Sequence, residues 1–176
     1  MLYEAIAKVI ERRICDSEQT YARFAERLEE GLLTRDENPQ SHFCAYFLPY
    51  NRDNQKFFLG HHKKANMWIA PGGHIDKGET LLDTVNRELE EELGVRAFFQ
   101  EAPKPFLLTI TPIENKIQIC KAHFDIWFLV PTDGANFLVD PREFHETKWV
   151  GEQEAKQLAG DAANQKAIEI VKQIGI

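Results

Sequence analysis

Residues 73–95 read Gly-His-Ile-Asp-Lys-Gly-Glu-Thr-Leu-Leu-Asp-Thr-Val-Asn-Arg-Glu-Leu-Glu-Glu-Glu-Leu-Gly-Val. Gly78 ends a glycine-rich turn, and Thr80 is placed to cap a helix that starts near Leu81 with Asp83 as its early acid. Leu82, Val85, Leu89 and Leu93 recur at three- and four-residue spacing, the pattern of one buried stripe. Gly94 is the natural stop.

Glu88, Glu91 and Glu92 flank that stripe within an arc of roughly 100°. Like charges at this spacing repel, and the last turn of a helix is already the negative end of its dipole. Local rules broken in this way mark functional sites. A hard divalent cation reverses the sign of the problem, because Mg²⁺ prefers carboxylate oxygens together with substrate phosphates. The plainer reading of three adjacent glutamates is a solvated acidic face. Arg87 and Glu79 tip the balance: a guanidinium–carboxylate fork between them would fix the loop to the helix and keep Arg87 from neutralising the acids.

The stretch resembles the signature of the Nudix hydrolase family, MutT-like members included. Gly73, Glu79, Arg87, Glu88, Leu89, Glu91, Glu92, Gly94 and Val95 each match in place. Nine fixed positions at fixed spacing are a specific signal. The flanking strand pattern extends the likeness to roughly residues 42–160. The resemblance implies an α/β fold, the Nudix-type α/β/α sandwich with a mixed β-sheet, and a nucleotide pyrophosphohydrolase. Its substrate would be a nucleoside diphosphate linked to another moiety, with Mg²⁺ or Mn²⁺ as cofactor. It further implies that Glu88, Glu91, Glu92 and the Gly73 carbonyl hold the metal. Glu88, or one more acid from the loop before a late Trp-containing strand, would orient or deprotonate the attacking water. Glu143 is the candidate from that loop and Glu146 the alternate.

Composition bounds the remaining classes. The 176 residues and 43% hydrophobic content suit a single core. A net charge of −7 argues against a nucleic-acid backbone or an anionic membrane as the main partner. Cys15, Cys44 and Cys120 are widely spaced and odd in number, which reads as reduced thiols in a cytoplasmic protein. No stretch near the start has signal-peptide character, and no segment approaches the apolar length of a membrane span.

Outward from the signature, residues 1–31 read as an N-terminal helical hairpin, with helices over 2–14 and 18–30, and 42–176 as the catalytic unit. The hairpin is a packing cap, a homodimer contact or a specificity element. His42 to Leu48 and Lys56 to Gly60 form a β-hairpin around residues 51–54. After it, His61 and Lys63 are candidates for contacts with substrate phosphates, against the alternative of a solvated loop. A metal shared by His61 and His62 is disfavoured, since neighbours in an extended segment face opposite ways. Strands are expected over 96–100, 106–111, 117–130 and 146–150, with a turn over 112–116 and two helices at the end, 152–158 and 164–174. On the long strand Phe124, Ile126 and Phe128 share one face and His123, Asp125 and Trp127 the other. Trp127, His123 and His145 are candidates to line a pocket and stack on a base.

Two rivals remain. A non-catalytic nucleotide-binding sensor on this fold would have shed box carboxylates, and none is missing here. An isoprenoid diphosphate isomerase would need a catalytic cysteine in its own motif, which neither Cys44 nor Cys120 supplies.

Overall fold

The run Ser-His-Phe-Cys-Ala-Tyr-Phe-Leu-Pro-Tyr-Asn is an 11-residue strand, β1 (Ser41–Asn51), buried along almost its whole length. A computed structural model describes residues 1–114 and 119–175. In it β1 is joined by β2 (Lys56–His62), β3 (Met67–Ile69), β4 (Gly72–His74), β5 (Pro105–Pro112), β6 (Ala122–Pro131) and β7 (Phe144–Val150) in one mixed sheet. The helices are α1 (Leu2–Val9), α2 (Glu18–Glu29), α3 (Leu81–Leu93), α4 (Glu152–Leu158) and α5 (Ala162–Gln173).

β1 runs parallel to β6 from Ser41↔Ala122 to Tyr50↔Pro131, and β6 runs antiparallel to β5. On its other edge β1 meets β2 only at Tyr50↔Phe57 and Asn51↔Lys56, and β4 takes that edge from Cys44 to Tyr46. β2 turns instead to β3 and β7. The sheet is therefore splayed between β1 and β2, and the gap is where the site forms.

Period-two burial places helices on both faces. Phe43, Ala45 and Phe47 of β1 and Phe124, Ile126 and Phe128 of β6 face one core with Ile6, Phe24, Leu28 and the α3 stripe. Leu48, Tyr50 and Trp127 face a second core with α4 and α5, through Ala155, Ala167, Ile168 and Val171. This is the α/β/α sandwich expected. The N-terminal helices are part of the first core: the rings of Phe43 and Phe124 lie 5.8 and 5.2 Å from Phe24, both edge-on.

Several expected boundaries shift. The first helix ends at Val9 because Ile10 turns extended, and Arg12–Ile14 form only a 3₁₀ turn. The segment 96–100 is not a strand. Ala97 takes φ 45°, and the Asn86 side chain bonds both backbone groups of Phe99, tying the segment to α3. The long strand starts at Ala122 rather than 117; part of that expectation and of the turn over 112–116 falls on residues 115–118, outside those described. β3 and β4 are too short to show a period in the sequence. Among the described residues no helix is long and apolar enough to cross a membrane.

Candidate active site

Helix α3 carries the site, and its ends are fixed locally. The Thr80 hydroxyl accepts the Asp83 N–H at 3.2 Å while the Asp83 carboxylate accepts the Thr80 N–H at 2.9 Å, a reciprocal capping box. Gly94 closes the helix at φ 69°, a left-handed position that suits glycine. The buried stripe is Leu81, Val85, Leu89 and Leu93, at strict four-residue spacing, and Leu82 is only partly covered. One residue round the helix, Thr84, Glu88 and Glu92 form a second buried line. The sandwich thus pulls two carboxylates inward along with the leucines.

Arg87 ties this line to the preceding loop. Its Nε and Nη2 donate to the two oxygens of Glu79 at 2.7 and 3.0 Å, the expected fork. Nη2 also donates to the His74 carbonyl at 2.9 Å. Contrary to expectation, Arg87 is not held away from the acids: Nη1 donates to Glu88 Oε1 at 2.7 Å and to Glu91 Oε2 at 3.1 Å. A guanidinium has five donors, and the fork leaves Nη1 free to turn along the helix.

Glu92 Oε2 accepts the Gly72 N–H at 2.8 Å. A Cβ on Gly73 would lie 2.3 Å from Glu88 Oε1, so the backbone of β4 approaches that carboxylate as only glycine allows. Burial raises the Glu88 carboxyl to about 7, against the pull of Arg87. Burial, with the charge of Glu88 adding to it, raises Glu92 well above the usual carboxylate range. Glu91 stays largely exposed. Two buried acids with glycine backbone against them fit a hard divalent cation, which prefers carboxylate and carbonyl oxygens. Glu88, Glu91, Glu92 and Gly73 are the residues that would hold it.

The acids open into a cleft of about 1380 Å³ that runs from α3 across β4 to His123, Asp125 and Trp127 of β6. Glu143 borders it, with Oε2 3.7 Å from His62 Nε2 and 3.2 Å from Lys64 Nζ. Glu146, the alternate, is exposed beside Lys148. Trp127 lies on the cleft wall stacked on Tyr46 at 5.1 Å, its indole N–H donating to the Thr109 hydroxyl at 2.8 Å.

The structure places His61 and Lys63 outside the cleft. β2 turns His61 to the opposite side, stacked on Trp68 at 5.6 Å and beside His145 at 5.2 Å, and the Lys63 ammonium donates to the Pro141 carbonyl. Their neighbours His62 and Lys64 border the cleft instead. The strand continues through His62, so His61 and His62 face opposite sides, and the turn that follows carries Lys63 and Lys64. His145 is likewise outside the cleft, while His123 borders it.

Sequence reasoning also missed Asp125 as a site residue. Its Oδ2 accepts from the hydroxyls of Thr109 at 3.2 Å and Thr111 at 2.5 Å, and its Oδ1 is buried with no partner among the described residues. Burial pushes its carboxyl well above the ordinary range. The one sequence signal for it was its place between His123 and Trp127 on an alternating strand.

Residues 40–170 match the model of the NUDIX domain. The RNA pyrophosphohydrolase of Erythrobacter litoralis is 32% identical over 65% of this chain and 79% of its own length. The m7GpppN-mRNA hydrolase NUDT17 of Xenopus laevis is 29% identical over 60% of this chain, which spans only 40% of that relative. Among solved structures, a MutT NUDIX hydrolase from Burkholderia pseudomallei superposes with a TM-score of 0.60 at 22% identity, covering 75% of this chain and 98% of that one.

Proposed function

We propose a reaction from one premise: the chain belongs to the NUDIX family. It is a nucleotide pyrophosphohydrolase, cleaving a diphosphate bond in a nucleoside diphosphate linked to another moiety, with a divalent metal, Mg²⁺ or Mn²⁺. The observation that carries this reading is the Arg87 arrangement, a fork on Glu79 and a third bond to Glu88, set against the close approach of Gly73 and the buried Glu92.

Glu88, Glu91, Glu92 and the Gly73 carbonyl would hold the metal. When bound, the cation supplies charge neutralisation for the phosphates and a water of lowered pKa. The protein does the rest by position. Arg87 and Glu79 lock the Gly73 turn to α3, so that carbonyl and carboxylates keep one geometry. Glu88 has one oxygen on Arg87 and accepts the proton of the attacking water, with Glu143 across the cleft as the second acid. Lys64 and Arg142 offer cationic charge at the cleft rim to the phosphate chain. Tyr46, backed by the buried Trp127 ring, supplies an aromatic wall for a base.

The relatives named as pyrophosphohydrolases or mRNA hydrolases support this bond type, and they bring RNA into the range of substrates to test. The decisive assay measures phosphate and pyrophosphate release with Mg²⁺ from (d)NTPs, ADP-ribose, NADH, dinucleoside polyphosphates, CoA, nucleotide sugars and 5′-triphosphorylated or capped RNA. Wild type and Glu92→Gln are run side by side. A metal-dependent product lost in Glu92→Gln is expected. Release that persists in that variant, or that ignores chelation, would overturn the site. Tight nucleotide binding with no release from any substrate would instead identify a sensor.

A further inference from the structure

A second cluster of ligating side chains lies beside the cleft, and these side chains take no part in the reading above. His42, His74, Cys120 and His123 each offer a ligand atom, and all four atoms lie within 4.8 Å of one another. The sheet register creates this cluster. His42 and His123 are direct partners across the parallel β1–β6 pair, and His74 enters on β4 opposite Cys44, the next residue along β1 on the same face. Cys120 arrives from the segment just before β6. The three imidazole rings pack with centroids 4.7, 5.1 and 4.9 Å apart.

We infer that His42, His74, His123 and Cys120 form a binding site for a soft divalent transition metal of the zinc class, separate from the carboxylate site on α3. Ligand type separates the two: imidazole and thiolate select zinc-like ions, whereas Mg²⁺ takes oxygens. Spacing agrees. Metal–ligand lengths of roughly 2.0–2.3 Å put tetrahedral ligands about 3.3–3.6 Å apart. His74 Nε2 and His123 Nε2 are 3.2 Å apart, and His42 Nε2 is 4.0 Å from Cys120 Sγ. The remaining separations are within 4.8 Å, so closure asks for an inward movement, which Cys120, partly exposed, has room to make.

The surroundings are pre-set for it. His42 Nδ1 lies 2.9 Å from the Asn38 carbonyl, so it is that nitrogen that carries the hydrogen, leaving the Nε2 lone pair facing the thiol. A ring donating its far N–H to a backbone carbonyl is the usual outer-shell partner of a metal-bound histidine. Arg35 opposes a cation here: Nη1 sits 3.4 Å from His74 Nδ1. It is half exposed and already reaches toward Asp76, so it has solvent to move into. On coordination Cys120 loses its thiol proton to solvent. The bound ion would tie β1, β4 and β6 together beside His74, whose carbonyl accepts Arg87.

Cobalt(II) is the probe, added to the full chain in excess Mg²⁺ so that the carboxylate site is occupied. The expected result is one equivalent of Co²⁺ with strong tetrahedral d–d absorption and a thiolate-to-cobalt band, both displaced by Zn²⁺. Cys120→Ser should remove the thiolate band and weaken Co²⁺ binding by about tenfold or more, while Cys44→Ala keeps the band. His123→Ala should abolish the tetrahedral spectrum. If that variant does not fold, the ring ¹⁵N shifts of the wild type serve instead, with Nε2 of all three histidines moving on Zn²⁺ addition. A weak octahedral spectrum, a signal that Mg²⁺ suppresses, or a thiolate band that survives Cys120→Ser would each overturn the site. So would unmoved Nε2 shifts.

Discussion

Glu88 and Glu92 sit in an environment that favours their neutral forms, and this has a consequence measurable without any substrate. Burial lifts Glu88 from 4.5 to about 7, and Glu92 moves the same way. A carboxyl whose folded pKa lies above its unfolded value binds its proton more tightly in the folded chain. The associated stability is present below about 4.5 and is lost as pH rises toward 7. The metal-free protein should therefore melt at a lower temperature at pH 7.5 than at pH 5.5, by an amount worth about 1–3 kcal/mol. Mg²⁺ or Mn²⁺ should restore the difference at pH 7.5 and do little at pH 5.5. Calorimetry with chelator and with metal at the two values checks this; a rising Tm in the chelated protein would contradict it. Removing the charge should have its own signature. Glu88→Gln is expected to keep the circular dichroism of the wild type and lose about 10²–10⁴-fold in turnover, the range for a positioned base. Arg87→Lys keeps the charge but cannot span Glu79, Glu88 and the His74 carbonyl at once, so turnover should fall about 10²-fold through misplacement.

At the scale of elements, α3 is the part most open to reading in the sequence, because its cap, its acid and its terminal glycine are local chemistry. Thr80→Ala removes the acceptor for the Asp83 N–H and should cost about 1 kcal/mol, lowering Tm by about 2–4 °C with metal affinity little changed. Titration of Mn²⁺ and a melting curve on the same variant check both halves. What the sequence concealed depended on neighbours. That His62 and Lys64 border the cleft while His61 and Lys63 lie outside it goes with the end of β2 and its bulged pairing to β7 between Gly60 and His62. The strand once expected at 96–100 failed because Asn86, a residue of another element, captured Phe99. Asp125 was visible as an alternating position, yet its burial with Thr109 and Thr111 exists only after β5 pairs with β6. The histidine cluster draws on residues up to 81 positions apart, from 42 to 123, and no local pattern encodes it.

The whole molecule is a sheet with two unequal jobs. Its β1–β6 half is clamped by helices on both faces, and the splay between β1 and β2 leaves room for the cleft without opening either core. The helical hairpin over residues 1–31 belongs to that clamp, whatever further role it plays. Phe24 is wholly buried between Phe43 and Phe124, whose strands carry His42 and His123 on their other face. Loss of the ring would leave a void against the back of the very strands that form the cleft wall. Phe24→Ala is expected to cost about 3–5 kcal/mol and to lower Tm by about 10 °C. A hairpin that merely rested on the surface would give a shift of a degree or two instead. The two cases separate further in function. With the back of β1 and β6 loosened, the substrate KM should rise at a temperature well below the melting point, while kcat, which the proposed site on α3 and the Gly73 turn would set, should change less. A kinetic comparison at low temperature reads that split, and equal losses in both constants would mean that α3 leans on the hairpin as well.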